Sequence, residues 1–168
     1  MITLTERTRL PAPNERVWSL FERMEEHYCA WHREHLRWRW LRGEPLAEGS
    51  VWFADEWVGP LRISSRFFVT ANESERFFAY RIGFPSSLLR AGGSFSLEPL
   101  GDDECELIEE AHFGFALPVL GRVVDFFLRL ALPIPEFRRH IREEGEGLIE
   151  LVDARADQSG VKSQTVER

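Results

Sequence analysis

Between residues 36 and 115 apolar residues recur at every second position, and the interruptions are only a few residues long. Strands are expected at about 36–43, 50–58, 61–71, 75–83, 92–99 and 104–115. Turn signals part them: Gly43-Glu44-Pro45, Gly59-Pro60, Ala71-Asn72-Glu73, Pro85-Ser86-Ser87 and Gly101-Asp102-Asp103. Connections this short cannot hold crossover helices, so successive strands must be antiparallel neighbours. Residues 2–10 also alternate and supply an opening strand, which makes about seven.

Helical spacing flanks this meander. Pro11-Ala12-Pro13-Asn14 stops the first strand and starts a helix whose apolar face is Val17, Trp18, Leu20, Phe21 and Met24. A second short helical or irregular segment runs from Glu25 to about His35. From Pro118 the spacing is helical again (Val119, Val123, Phe126, Phe127, Leu130), Pro133 and Pro135 interrupt it, and it resumes to about Ala154. Residues 134–152 place Ile134, Phe137, Ile141, Leu148, Leu151 and Val152 on one face, so this long helix can cover the apolar face of a curved sheet. The expected class is α+β, with one domain over residues 1–156 and a tail, 157–168, that lacks periodicity and is expected to be disordered.

Composition narrows the partners. Six Trp and thirteen Phe against two Tyr suit a sheet that packs broadly or encloses an apolar space. A net charge of −7 argues against a nucleic-acid phosphate binder. The longest apolar stretch, Phe113 to Leu132, is broken by Pro118, Arg122, Asp125 and Arg129, so no membrane span is expected. No stretch reads as a signal peptide, and Cys29 and Cys105 form neither a disulfide framework nor a redox pair, so a cytoplasmic protein is expected. A homo-oligomer is compatible with all of this.

Several polar residues fall where apolar ones are expected. His140 and Glu144 lie one helical turn apart at or within the apolar stripe, where a metal, a structural hydrogen bond or a solvated edge would satisfy them. His27, His32 and His35 put three of the five histidines within nine residues. In the strand 50–58, Glu56 shares a face with Trp52, Ala54 and Val58, and Asp55 with Val51, Phe53 and Trp57. One of the two acids should face inward, unless an arginine such as Arg62 or Arg66 pairs with it. Glu109 falls in register with Cys105, Leu107, Ala111 and Phe113, as a catalytic acid or base or as an inward partner of an arginine. His112 lies on the other face with Glu106 and Glu110 and is expected to be solvated.

The element order (strand, two short helices, about six strands, long helix) resembles the helix-grip fold of the START and polyketide-cyclase superfamily. The opening Leu10-Pro11-Ala12-Pro13-Asn14-Glu15-Arg16-Val17-Trp18 is similar to that superfamily's first strand-to-helix junction. The resemblance implies an apolar cavity between sheet and long helix. Trp31-His32 with His35 after it, Glu56 on the following strand, and His140 with Glu144 further resemble the zinc-dependent diacetylphloroglucinol hydrolases. That likeness implies zinc, or another divalent metal, held by His32 or His35, Glu56, His140 and Glu144, with His32 the first choice. It also implies hydrolysis of a carbon–carbon bond beside a ketone in an acylphenol or polyketide-like aromatic compound, with Glu109 or Tyr28 protonating the expelled carbanion. The chain is shorter than those hydrolases, and their substrate-binding phenolic and amide residues find no counterparts beyond Tyr28 and Tyr80. The alternative is a binding or cyclase-like protein that holds an apolar or aromatic small molecule without metal. A protein-interaction domain would rest only on Trp38 and Trp40.

Overall fold

Seven antiparallel strands form one sheet in the order β1-β7-β6-β5-β4-β3-β2. The computed structural model describes the backbone of residues 1–114 and 120–164, and the side chains of 1–114 and 125–154. The elements are β1 (Ile2–Leu10), α1 (Asn14–Glu22), α2 (Met24–Trp31), β2 (His35–Arg42), β3 (Val51–Val58), β4 (Leu61–Glu73), β5 (Phe77–Ile82), β6 (Gly92–Pro99), β7 (Cys105–Phe113), α3 (Leu120–Ala131) and α4 (Ile134–Gln164). A short 3-10 turn, Ser86–Leu89, links β5 to β6. Strands β2 to β7 form the expected meander. The consecutive strands β1 and β2 occupy opposite edges of the sheet, so α1 and α2 carry the chain from one edge to the other.

Bulges give the sheet its curvature. β2 is irregular between His35 and Arg37 and again between Trp40 and Arg42, and β4 between Val69 and Ala71. The first bulge corrects the expected strand at 36–43. Strict alternation with Trp38 and Trp40 would turn Leu36 inward. Instead the extra residue pairs His35 with Glu56 and Arg37 with Asp55, so His35 takes the inward position and Leu36 is 44% exposed.

Helix α4 lies against β1, α2 and β3, and two glycines let it approach. A Cβ on Gly145 would fall 2.1 Å from Thr8 Oγ1, and one on Gly147 would fall 1.9 Å from the Trp31 carbonyl oxygen. The Trp31 indole N–H also donates to the Glu144 carbonyl at 2.6 Å, fastening α2 to the middle of α4. One core cluster gathers Phe21, Trp52, Phe78, Phe95, Leu107 and Leu148, and a second gathers Ile2, Leu4, Phe113 and Ile141. Pro133 separates α3 from α4 as expected, whereas Pro135 lies in the first turn of α4 and does not interrupt it. α4 runs past Ala154 to Gln164 and takes the first part of the expected disordered tail into the helix, whereas 165–168 lie outside the described residues. Residue 115 of the expected strand 104–115 and the predicted helix start at 118–119 lie outside them too. Among the described residues no helix is long and apolar enough to cross a membrane.

Candidate metal centre

The concave face of the sheet and α4 enclose a cavity of about 290 Å³ whose walls include Trp38, Trp52, Phe67 and Phe95. Along one wall the rings form a continuous series. Tyr28 stacks on His35 at 3.8 Å, Trp38 lies 5.0 Å from Tyr28, Trp52 stacks on Trp38 at 4.9 Å, and Phe67 stacks on Trp52 at 5.2 Å. Such a surface suits a flat apolar ligand.

Polar groups converge at the end of this series. His35 and Glu56 face each other across β2 and β3, and α4 brings His140 and Glu144 over them. Each of these four residues offers one donor atom, and the atoms all lie within 4.8 Å of one another. His35 Nε2 is 3.0 Å from Glu144 Oε1 and 3.7 Å from Glu56 Oε2, and His140 Nε2 is 3.8 Å from Glu144 Oε1.

The outer nitrogens of both histidines are tied down. His35 Nδ1 is 3.0 Å from the Tyr28 carbonyl oxygen, which can only accept, so Nδ1 carries a proton and Nε2 turns to the cluster. His140 Nδ1 is 3.0 Å from Glu34 Oε2, and Arg139 in turn donates to Glu34 Oε1 at 3.0 Å. Buried His140 Nε2 has no hydrogen-bond partner. His140 thus has the arrangement of a metal-ligating histidine, with the outer nitrogen on an oxygen and the inner one unpartnered, whereas His35 Nε2 is already 3.0 Å from Glu144 Oε1. The orphaned nitrogen and the two-nitrogen, two-oxygen donor set therefore fit a divalent cation such as zinc; iron, manganese or nickel would fit the same donors.

His32, the first choice from sequence, is placed differently. Its Nδ1 accepts the Glu34 backbone N–H at 3.1 Å, so Nε2 carries the proton, 3.1 Å from Glu143 Oε2. Both ring nitrogens are engaged, yet the ring sits 4.4 Å from that of His140, and His32, His35 and His140 each offer a nitrogen within 4.8 Å of the others, a second group that could hold a cation. Burial and the neighbouring His140 lower its pKa.

Burial and charge set the protonation of the remaining groups. Burial would raise the Glu144 carboxyl, but His140, together with the hydrogen bond and charge of His35, holds it down to about 2. Burial also opposes the protonated form of His35, but the bond to Glu144 wins and raises its pKa. Glu56 is raised by burial, partly offset by His35, and accepts a hydrogen bond from the Tyr28 hydroxyl. Glu109 lines the cavity from β7, and burial followed by repulsion from Glu144 raises it well above the usual carboxylate range. Its Oε2 has no partner. The Tyr28 hydroxyl is pushed well up by burial and then by Glu56.

Asp55 faces the other way and is bound bidentately by Arg62 at 2.9 and 2.7 Å, the arginine alternative expected for one of the two acids. His112 contacts the solvent-side Glu110 only at 3.9 Å and is partly exposed. The sequence reading missed Glu34, which orients His140, and Arg139 and Glu143 behind it. The only signal for Glu34 was its position between His32 and His35.

The sequence matches the family model described as polyketide cyclase / dehydrase and lipid transport over residues 1–133. No curated protein matches it. The fold is similar to that of the Zhui aromatase/cyclase of a Streptomyces species, with a TM-score of 0.72 at 13% identity over 92% of this chain and 95% of that one. It is similar to a Thermus thermophilus protein (TM-score 0.70, 15% identity, 91% and 98% covered). It is also similar to a START superfamily protein of Mycobacterium smegmatis (TM-score 0.64, 18% identity, 89% and 98% covered).

Proposed function

The chain belongs to the polyketide cyclase / dehydrase and lipid transport family, and we propose that it is a metal-dependent hydrolase, cleaving the carbon–carbon bond beside a ketone in an acylphenol or polyketide-like aromatic compound. The observation that carries this reading is the convergence of His35, Glu56, His140 and Glu144 at the wall of an aromatic cavity, with His140 Nε2 left unpartnered. These four residues would hold the cation. A bound divalent cation there would lower the pKa of a water molecule and polarise a ketone oxygen.

The chain's own groups do the rest. The ring series from Tyr28 to Phe67 orients a flat substrate with its acyl group at the cluster. Tyr28 holds Glu56 by its hydroxyl, and Glu34 holds His140 by Nδ1. Water adds its oxygen to the acyl carbon, the bond from that carbon to the ring breaks, and the electron pair stays on the ring carbon. Glu109, kept protonated by burial, delivers the proton that this carbon needs and is recharged by the proton released from water. The products are a carboxylic acid and the deacylated ring.

A second reading, a carrier or cyclase-like protein without metal, is favoured by the His35–Glu144 contact, which can close as an ion pair with no cation between. Metal content by inductively coupled plasma mass spectrometry separates the two. Near-stoichiometric zinc in the parent is expected, lost in His35→Ala, His140→Ala and Glu144→Ala but retained in His32→Ala. A parent that stays empty after incubation with zinc would sink the hydrolase reading.

A further inference from the structure

The opposite, convex face of the same strands carries a feature that the cavity does not explain. Arg39 on β2, Phe53 on β3 and Arg66 on β4 lie in one row, because Arg39 pairs with Phe53 and Phe53 pairs with Arg66. In the next row Phe68 on β4 pairs with Arg81 on β5, whose guanidinium sits 4.1 Å above the Phe68 ring. A groove of about 640 Å³ runs between these rows, lined by both Arg39 and Arg66 along with Phe53, Ser64, Phe68 and Phe84. Its wall is held up by Gly83, whose N–H donates to the Arg66 carbonyl at 2.7 Å and leaves Phe84 78% exposed beside the groove.

The charge pattern here is unusual for this molecule, whose net charge is −7. Three arginines of the convex face have carboxylate partners, Arg7 with Glu106, Arg9 with Glu104, and Arg62 with Asp55, and Arg81 lies over the Phe68 ring. Arg39 and Arg66 have no carboxylate partner among the described residues. Two unpaired guanidinium groups flanking an exposed-edge aromatic ring, over a depression of ligand size, provide bidentate anion donors and a stacking surface together.

We propose that this groove is a second ligand site, taking a planar aromatic anion whose carboxylate or phosphate lies between Arg39 and Arg66 and whose ring lies against Phe53 and Phe68. The site is separate from the cavity, since Phe53 and Phe68 alternate with Trp52 and Phe67, which face inward. It does not depend on the metal reading.

The test is a titration of the full chain, with and without zinc, by 1-naphthoate, 1-naphthyl phosphate, neutral 1-naphthalenemethanol and inorganic phosphate. Arginine side-chain and backbone resonances would be followed by NMR. Saturable shifts centred on β2 to β4 are expected with one or both aromatic anions, and the preferred anion separates a carboxylate ligand from a phosphate ligand. Affinity should fall at least tenfold in Arg39→Ala and in Arg66→Ala, and should be unchanged in Arg7→Ala and Glu144→Ala. The proposal is overturned if neither aromatic anion binds, if binding survives the double substitution of Arg39 and Arg66, if the shifts map to the cavity, or if inorganic phosphate binds as tightly as the aromatic anions.

Discussion

Asp55 and Glu56 are neighbours in the chain, and the sheet sends them to opposite faces with opposite consequences. Asp55 goes to the convex side, where Arg62 binds it at 2.9 and 2.7 Å and lowers its pKa against the opposing effect of desolvation. Glu56 goes to the concave side, where burial raises its pKa and its partners are a phenol and an imidazole. A guanidinium cannot give up its charge, so it neutralises a carboxylate permanently and closes the site. Histidine and tyrosine can be neutral, so a carboxylate facing them remains available to a cation or a proton. The face a residue occupies, rather than its type, therefore decides whether an acid on β3 is structural or chemical.

The largest effect is expected from separating the two faces mechanically. A Cβ on Gly147 would lie 1.9 Å from the Trp31 carbonyl oxygen, a backbone atom that cannot swing aside. Gly147→Ala must lift α4, lengthening the Trp31–Glu144 bond and carrying His140 and Glu144 away from His35 and Glu56. A loss of about 2–3 kcal/mol in urea unfolding is expected, the scale of overpacking in a core. Zinc retention should drop with it, and the groove on the convex face should be unaffected. Unchanged stability and zinc content would show that the seating of α4 does not position the site.

A smaller effect follows from the buried acids. Glu56 and Glu109 have folded pKa values above their ordinary value of 4.5, so their protonated forms suit the fold; stability is full below the unfolded pKa and is lost as pH rises toward the folded one. His35, raised from 6.5, acts in the same direction: its contribution is present below that value and is lost as pH rises through its folded pKa. Glu144, held at about 2, contributes above 4.5 and loses this only as pH falls toward 2. Metal-free protein should therefore melt at lower temperature at pH 8 than at pH 5. Zinc should stabilise more at pH 8, because its ligands must first shed protons. Glu109→Gln removes the acid most raised by burial and should gain on the order of 1 kcal/mol at pH 8 and little at pH 5. Equal destabilisation at both pH values would mean that Glu109 serves packing alone.

The fold was legible because two periods, two and then 3.6, follow one another along the chain with short turns between strands. The inward placement of Glu109 followed from the same alternation, and helical spacing put His140 and Glu144 at or within the apolar stripe, but alternation left open which of Asp55 and Glu56 turns inward. The relation between His32 and His35 followed from neither period. It turns on the bulge at Leu36, which shifts His35 into register with Glu56, and no periodicity reports an extra residue. Glu34 was invisible for another reason: its bond to His140 joins residues 106 positions apart. The convex groove was also hidden, since only the strand register brings Arg39 and Arg66 to either side of Phe53.

The smallest expected effect lies on the convex face itself. Arg62 is half-exposed and its pair with Asp55 is solvated from one side, so Arg62→Ala should lower the melting temperature only slightly, and less still in high salt. Zinc content should not change, because Asp55 and Glu56 share a backbone but not a face. Measured against Glu109→Gln, this variant asks whether the two sides of β3 are energetically independent. If Arg62→Ala also released zinc, the freed Asp55 would be pulling on β3 strongly enough to turn Glu56, and the partition of charge between the faces would be a single coupled balance.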